Sequence, residues 1–347
     1  MSVSENPSLS FAPVTLADKP TVDRYTKVYG ESSCQHSFVS MFALREKYGS
    51  EICEKDGFLF TLRKALCRDG ERVYLAPMGG GDRKGAYAAI LADAAKHGCK
   101  AVFNTVTKGQ VDFLQQSFPG RFRYTELRDY AEYVYLTESL CNMGGKKLAD
   151  KRYKINRLLR ECGDKLEVKQ LCSDDAPELL RFEEKWLRDN AEDHDQDALQ
   201  REMRAIRLQL ENFDPLGLSG VGIYLEGNMI AFAYGVPLND GCYDGLAAKA
   251  DRAIPNTYKL LYREMSRLCA APRTYFNWEE DVGVKGLRSI KTEYDPSVLM
   301  RKYLVRENGL PYDSAESEEI PVVSRIDYSI NGDPPIPSDF GASEKQL

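Results

Sequence analysis

Alternating and continuous apolar runs set out two groups of strands and helices in the same order. In the first half, GFLFTLRKAL (57–66) and RVYLAPMG (72–79) predict two strands joined by the turn CRDGE. GGGDRKG (79–85) reads as a loop, AYAAILADAAKHG (86–98) as a helix closed by glycine, and CKAVFNTV (99–106) as a short buried strand. VDFLQQSFPG (111–120) predicts a helix stopped by Pro119-Gly120, and YAEYVYLTESL (130–140) a strand. In the second half, GVGIYLEGNMIAFAYGVPL (220–238) predicts a hairpin turning at Glu226-Gly227-Asn228, and CYDGLAAKA (242–250) a further strand. PNTYKLLYREMSRLCA (255–270) reads as a helix with proline near its start, RTYFNW (273–278) as a strand, VGVKGLRSIKTEY (282–294) as a helix and MRKYLV (300–305) as a last strand. The pair of elements over Tyr87–Asn104 has nearly the length of the pair over Tyr258–Asn277. This order predicts an internal duplication, against chance likeness between two ordinary α/β segments.

The ends carry no such pattern. Residues 1–20 are polar with three prolines, and from 307 onward acids, Pro, Gly and Ser mix in an irregular tail. With 347 residues, 43% apolar and 29% charged, the chain is long enough for two ordinary globular domains. Its net charge of −6 excludes a global basic field for nucleic acid, so anion binding has to come from local patches. The nine cysteines are odd in number and form no C-x-x-C, which argues against a disulfide framework or a zinc knuckle. Without a secretory signal or an uncharged run long enough for a bilayer, a reduced, cytoplasmic, soluble protein is expected. His36, His97 and His194 are scattered without metal spacing, His194 reading as a loop residue among acids. The chain also lacks a G-x-S-x-G elbow and a P-loop.

Three stretches carry candidate chemistry. In NWEEDVGVKGLRSIKTEYD, Asn277 leads into Glu279, Glu280 and Asp281, and Lys285, Arg288 and Lys291 follow at helical spacing. Acids before a helix and cations along it describe a capped, solvated helix or a crevice for something anionic. In the second reading Arg288 and Lys291 hold phosphate or carboxylate, and Glu279 or Asp281 accepts a proton from a nucleophile. Tyr294 is either a donor to a leaving group or a core aromatic. The loop AAKADRAIPN places Lys249, Asp251, Arg252 and Asn256 around a helix start, where free N–H groups favour an anion. GGKKLADKRYKINRLLRE buries Leu148, Ile155 and Leu159 at helical spacing and leaves Lys146, Lys147, Lys151, Arg152, Lys154, Arg157 and Arg160 as the strongest basic patch. Lys151, Arg152, Lys154 and Arg157 are then either a solvated interdomain face or a contact for a polyanion, such as a transfer-RNA acceptor stem or an acidic lipid surface. GGGDRKG is a flexible turn or a second anion loop.

The strand and helix order resembles that of the Gcn5-related N-acetyltransferase fold. Asn277, Glu279, Asp281, Gly283, Gly286-Leu287-Arg288, Lys291 and Tyr294-Asp295-Pro296 resemble the motif of the DUF2156 family, which is similar to the C-terminal domain of phosphatidylglycerol lysyltransferases. CQHSFVSMFALREKY, AAKADRAIPNTYKLL and the basic stretch support the likeness, which covers roughly residues 20–305. A tryptophan of the pattern near Ala43 or Leu44 is missing, a matter of packing. The resemblance implies an α+β chain of two tandem acetyltransferase-like (acyl-CoA N-acyltransferase) domains, each a mixed, mostly antiparallel sheet flanked by helices. The expected boundaries are 20–145, 146–306 beginning with the basic helix, and a tail over 307–347.

The resemblance implies an acyl- or aminoacyl-transferase. Its donor would be an aminoacyl-tRNA or a coenzyme A thioester, and its acceptor an amine or hydroxyl on a small molecule, peptide or lipid headgroup. The alternative is a non-catalytic anion- or nucleic-acid-binding protein that kept the fold. Acetyltransferases seat the coenzyme A pyrophosphate on an Arg/Gln-x-x-Gly-x-Gly/Ala loop. Here Arg252-Ala253-Ile254-Pro255-Asn256 has no glycine, and Pro255 removes an N–H. The working crevice is expected in the second repeat, with Asn277, Glu279 and Asp281 as catalytic residues and Lys249, Asp251, Asn256, Arg288 and Lys291 as ligand-binding ones.

Overall fold

The computed structural model describes residues 8–190 and 196–308. Its strands in chain order are β1 (Ala12–Pro13), β2 (Ser50–Lys55), β3 (Phe58–Arg63), β4 (Glu71–Tyr74), β5 (Met78–Gly79), β6 (Lys100–Thr107), β7 (Phe122–Glu126) and β8 (Glu132–Leu136). They continue as β9 (Leu166–Leu171), β10 (Ser219–Leu225), β11 (Asn228–Pro237), β12 (Cys242–Ala250), β13 (Tyr275–Glu280), β14 (Val298–Met300) and β15 (Lys302–Glu307). Among the described residues the chain forms two compact units, one of residues 8–132 with 299–308, the other within 133–298.

The sheet of the first unit runs β1-β2-β3-β4-β6-β15-β7, with β5 paired to β3, and that of the second runs β14-β8-β13-β12-β11-β10-β9. Read from opposite ends, the two orders coincide position by position. Each sheet begins with an antiparallel meander and then turns to a parallel pair, β4 with β6 and β12 with β13. A helix crosses between the parallel strands in each unit, Arg83–Lys96 in one and Thr257–Met265 in the other. The duplicated order expected from sequence is therefore present.

The boundary differs from the expected one. The sixth strand of each sheet comes from the other end of the chain: β15 lies between β6 and β7, and β8 lies between β13 and β14. The split expected after residue 145 would give β8 to the first domain, whereas its pairing places it in the second sheet. Local details shift too. The strand expected over 130–140 ends at Leu136, where the helix Thr137–Asn142 starts. The helix expected over 255–270 is α-helical to Met265 and a π-turn over Ser266–Ala270. The tail and His194 lie outside the described residues.

The first core gathers Phe58, Phe60, Tyr74, Tyr87, Phe103 and Val305. In the second unit Trp278 is ringed by Tyr135 and Tyr262 at 4.5 Å each and by Tyr294 at 5.0 Å. Tyr294 is 4% exposed, so it is a core aromatic. The helices Ala176–Asn190 and Gln196–Glu211 bring Phe182 against Phe232 and Gln209 against Tyr234.

Candidate active site

The site of the second unit is built where β12 and β13 part. Three parallel pairs, Cys242 with Tyr275, Tyr243 with Phe276 and Asp244 with Asn277, hold the strands together. Beyond them β12 stays paired to β11 as far as Ala250, but Gly245–Ala248, in the middle of a central strand, are half-exposed. An opening between parallel strands at their carboxyl ends is where α/β sheets commonly take ligands. Gly245 is required at its mouth, because a Cβ there would stand 2.9 Å from the Phe276 ring.

Polar residues at the end of β13 are bonded within the protein at several points. The Asn277 side chain is fully buried and its Oδ1 accepts the Glu279 N–H at 2.8 Å. This bond holds Glu279 at φ +55°, a left-handed conformation unusual for a non-glycine residue. Asp281 is fully buried and accepts a fork from Arg288, Nε at 2.9 Å and Nη2 at 2.7 Å. It also accepts the Tyr133 hydroxyl at 2.7 Å and the Gly283 N–H at 2.9 Å. Burial alone would raise its pKa, but the Arg288, Tyr133 and Gly283 bonds outweigh that and hold the carboxyl well below the usual carboxylate range. Such a group is a fixed anion and a poor proton acceptor, which corrects the expectation that Asp281 is a candidate base. Arg288 is committed to Asp281 but keeps 34% of its side chain exposed. Lys291, expected to hold an anion, is buried and donates to the carbonyls of Trp278 and Glu280, the residues on either side of Glu279.

Lys249 sits apart from these bonds. It is 5% exposed, with its ammonium 4.0 Å from the Trp186 ring centre, 3.0 Å from Glu202 and 3.3 Å from Glu183. Burial would lower its pKa, but Glu202 and Glu183 outweigh it and hold the ammonium above its ordinary value. Glu183 is fully buried, and burial pushes it up to about 7 against the pull of Lys249. The two helices that supply Glu183 and Glu202 are remote in sequence from any motif, so sequence reasoning missed both acids. Tyr234, paired with Ala247 in the opening, has its pKa raised by burial and then by Glu183, Glu202 and Glu279, which brings the two acid groups to one neighbourhood.

Asp251 and Asn256 shape the loop before the next helix. The Asp251 carboxylate accepts the Ala253 N–H at 2.9 Å, and its carbonyl accepts the Ile254 N–H at 3.3 Å. Asn256 takes φ +71° without capping the helix through its side chain. Two N–H groups that a pyrophosphate would need are thus used within the loop, in keeping with the missing glycines. Beside it lies a cavity of about 340 Å³ lined by Trp186, Asp189, Asp251 and Arg252 among others.

The basic helix spans Ala149–Cys162 and buries Leu148, Lys151, Ile155 and Leu158. Lys151 therefore leaves the expected exposed patch: it is 7% exposed, 3.5 Å from Glu293 and 4.8 Å from the Tyr294 ring centre. Arg152 and Arg157 are exposed and Lys154 is half-buried. Lys154 pairs with Asp150 at 2.7 Å and Arg157 with Glu161 at 3.4 Å along the helix. Lys259, on the helix that packs beside it, was missed; burial lowers its pKa, and Lys154 and Lys151 lower it further.

Comparison with known proteins matches this architecture. The description "Phosphatidylglycerol lysyltransferase, C-terminal" fits residues 26–306. A conserved protein of unknown function from Bacteroides thetaiotaomicron is 30% identical, with a TM-score of 0.81 over 86% of this chain and 99% of that one. The C-terminal domain (DUF2156) of a putative lysylphosphatidylglycerol synthetase from Agrobacterium fabrum is 15% identical, with a TM-score of 0.59 over 85% and 93%. An uncharacterised protein of Mycoplasmoides gallisepticum is 22% identical over 174 residues, and that match spans 50% of this chain and about half, 55%, of the relative. No helix among the described residues is long and apolar enough to cross a membrane. With more than half of its length matched and the tandem acetyltransferase-like topology in place, the chain belongs to the family of phosphatidylglycerol lysyltransferase C-terminal domains.

Proposed function

We propose that the chain is an acyl- or aminoacyl-transferase working in the opening between β12 and β13 of its second unit. The observation that carries this reading is the half-exposed stretch Gly245–Ala248 in a central strand. Its backbone faces a gap that an extended acyl or aminoacyl chain can enter as a strand would. Glu279, half-buried and held left-handed at the mouth, takes the proton as an amine or hydroxyl attacks the activated carbonyl. The new amide or ester bond forms, the donor's ester or thioester bond breaks, and the proton passes to the leaving group. Asp281 fixes Arg288 by a two-point bond, and this partly exposed guanidinium supplies the positive charge for the donor's carbonyl oxygen or phosphate. The donor is an aminoacyl-tRNA or a coenzyme A thioester; the used N–H groups of the 251–256 loop favour the former.

The test incubates the full chain with charged transfer RNA and, separately, with acyl-coenzyme A, each with amine and hydroxyl acceptors. Transfer above spontaneous hydrolysis from one donor class, lost in Glu279→Gln, is expected. A second reading has its own observation: Asp281, Arg288 and Lys291 all bond within the protein, while Arg152 and Arg157 stay exposed. Salt-sensitive transfer-RNA binding without consumption of any donor would favour that non-catalytic, polyanion-binding reading.

A further inference from the structure

The helix Ala176–Asn190 turns one face to the cavity beside the 251–253 loop. Phe182, Lys185, Trp186 and Asp189 recur on it at i, i+3, i+4 and i+7, and the loop meets them with Asp251 and Arg252. A helix face that carries two large aromatics is ordinarily closed by core packing. This one is closed only in part. Phe182 meets Phe232 edge to face at 5.7 Å yet stays half-exposed, and Lys185, Asp189, Arg252 and Ala253 are exposed, so the cavity opens to solvent. Its volume of about 340 Å³ lies at the small end of the range of ligand pockets, which suits a molecule of amino-acid size.

The walls are held from behind. Trp186 is 9% exposed, its Nε1 donates to the Ala250 carbonyl at 3.2 Å, and the Lys249 ammonium lies 4.0 Å from its ring centre. The Asp251 carboxylate is fixed by the Ala253 N–H at 2.9 Å. Across from it the Lys185 ammonium stops at 3.7 Å, outside hydrogen-bond reach, with 58% of its side chain exposed. The charges around the cavity balance, Asp189 and Asp251 against Lys185 and Arg252. A simple anion therefore meets two like charges, and so does a simple cation. A molecule with one charge of each sign finds partners for both.

We propose that this cavity binds a free α-amino acid with an apolar or aromatic side chain. The ammonium lies towards Asp189 and Asp251, the carboxylate towards Lys185 and Arg252, and the side chain on Phe182 and Trp186. An uncharged ligand forgoes the charge-assisted bonds at both ends. A ligand without apolar surface leaves the two rings uncovered. An aminoacyl ester has no free carboxylate, so this ligand is distinct from the donor of the transfer reaction, and its binding needs no transfer to occur.

The experiment titrates the full chain by calorimetry with phenylalanine, phenylalanine methyl ester, phenethylamine and phenylpropionate. Phenylalanine is expected to bind, and each of the others, lacking one charge, to bind at least about tenfold more weakly, the value of one charge-assisted hydrogen bond. Asp189→Lys should weaken phenylalanine about tenfold and strengthen phenylpropionate, and Lys185→Glu should weaken phenylalanine by as much and strengthen phenethylamine. Both side chains are exposed, so neither change touches the packing, and loss of structure would not shift selectivity in opposite directions. Failure of phenylalanine to bind the unaltered chain overturns the proposal. Equal binding of all four probes does so too, since the cavity is then an aromatic slot blind to charge. So does unchanged selectivity in either variant.

Discussion

Arg288→Ala takes the two-point guanidinium bond away from a fully buried carboxylate. Arg288 supplies this bond to Asp281 beside those from Tyr133 and the Gly283 N–H, and the substitution removes it. Removing one partner of a buried pair costs about 3–5 kcal/mol. Because Arg288 is 34% exposed, the lower end, about 3 kcal/mol, is the better figure. At roughly 2–4 °C per kcal/mol the melting temperature should fall by roughly 6–12 °C near neutral pH. The sign with pH follows from the depressed pKa of Asp281 in the fold. Its stabilisation is present above the unfolded carboxyl value of about 3.9 and is lost as pH falls towards the folded value. The gap between the natural chain and Arg288→Ala should therefore be full at neutral pH and shrink below about pH 4. Replacing both residues by leucine should recover much of the loss, since apolar substitutes for a buried pair are often neutral. Melts followed by circular dichroism across pH measure all three. An unchanged Tm in Arg288→Ala, or a loss that is the same in acid as at neutral pH, would refute this account of the network.

Three further outcomes follow from the same geometry. Glu279→Gln should lower turnover by roughly 10²–10⁴-fold with donor affinity little changed, read from single-turnover kinetics; equal loss of both would make it a binding residue. His36 is fully buried, and burial followed by the charge of Lys302 lowers it to about 4, so the unfolded chain binds the extra proton and stability is lost as pH falls from about 6.5 towards 4. Urea titrations should show that slope in the natural chain and about one proton less in His36→Gln. On the basic helix, Lys154→Glu with Arg157→Glu should reduce the salt slope of polyanion binding by about 2, whereas Lys151→Ala should lower Tm and leave the slope alone.

Much of the fold could be read from the chain because local chemistry and tertiary need agree. The turn at Glu226-Gly227 is left-handed at both positions, φ +53° and +78°, as a two-residue hairpin between Leu225 and Asn228 requires. The same turn chemistry stands at Asp56-Gly57, φ +49° and +77°, and closes β2 onto β3, although SEICEK lacks the clean alternation that marks a half-buried strand. At the site, the cluster from Asn277 to Lys291 was legible as a cluster, since adjacency in sequence puts it at one strand end. Its internal pairing was not, because helical spacing gives the face on which Arg288 lies and not the backbone turn that swings Asp281 to meet it. Glu183 and Glu202 were illegible for a different reason. On amphipathic helices an acid on the buried side looks like any other acid until the lysine opposite, Lys249, is known.

The exchanged strands make the sequence-based boundary testable. MRKYLV announces a strand, but alternation cannot say which sheet receives it, and proximity in the chain suggests the second. It completes the first. A fragment of residues 1–145 keeps β6 and β7 but lacks β15, the strand between them, and so exposes two facing unpaired edges. It also loses Tyr303, Leu304 and Val305, buried to 2%, 8% and 0% exposure, and the pairing of Lys302 with Glu132 at 2.6 Å. At about 1.5–3 kcal/mol for each buried apolar side chain, that loss is close to the whole stability of a domain, about 5–15 kcal/mol. The fragment 146–306 likewise lacks β8, the neighbour of β13, and with it Tyr133, which donates to Asp281. Residues 133–298, by contrast, hold β8 to β13 whole but for Glu132 and lack only the last two residues of the edge strand β14. The expectation is a cooperative thermal transition for 133–298 and none for 1–145 or 146–306, measured by circular dichroism and proton NMR dispersion. A cooperative melt of 146–306 matching that of 133–298 would mean that β8 is dispensable, and that the duplication left two halves able to fold apart.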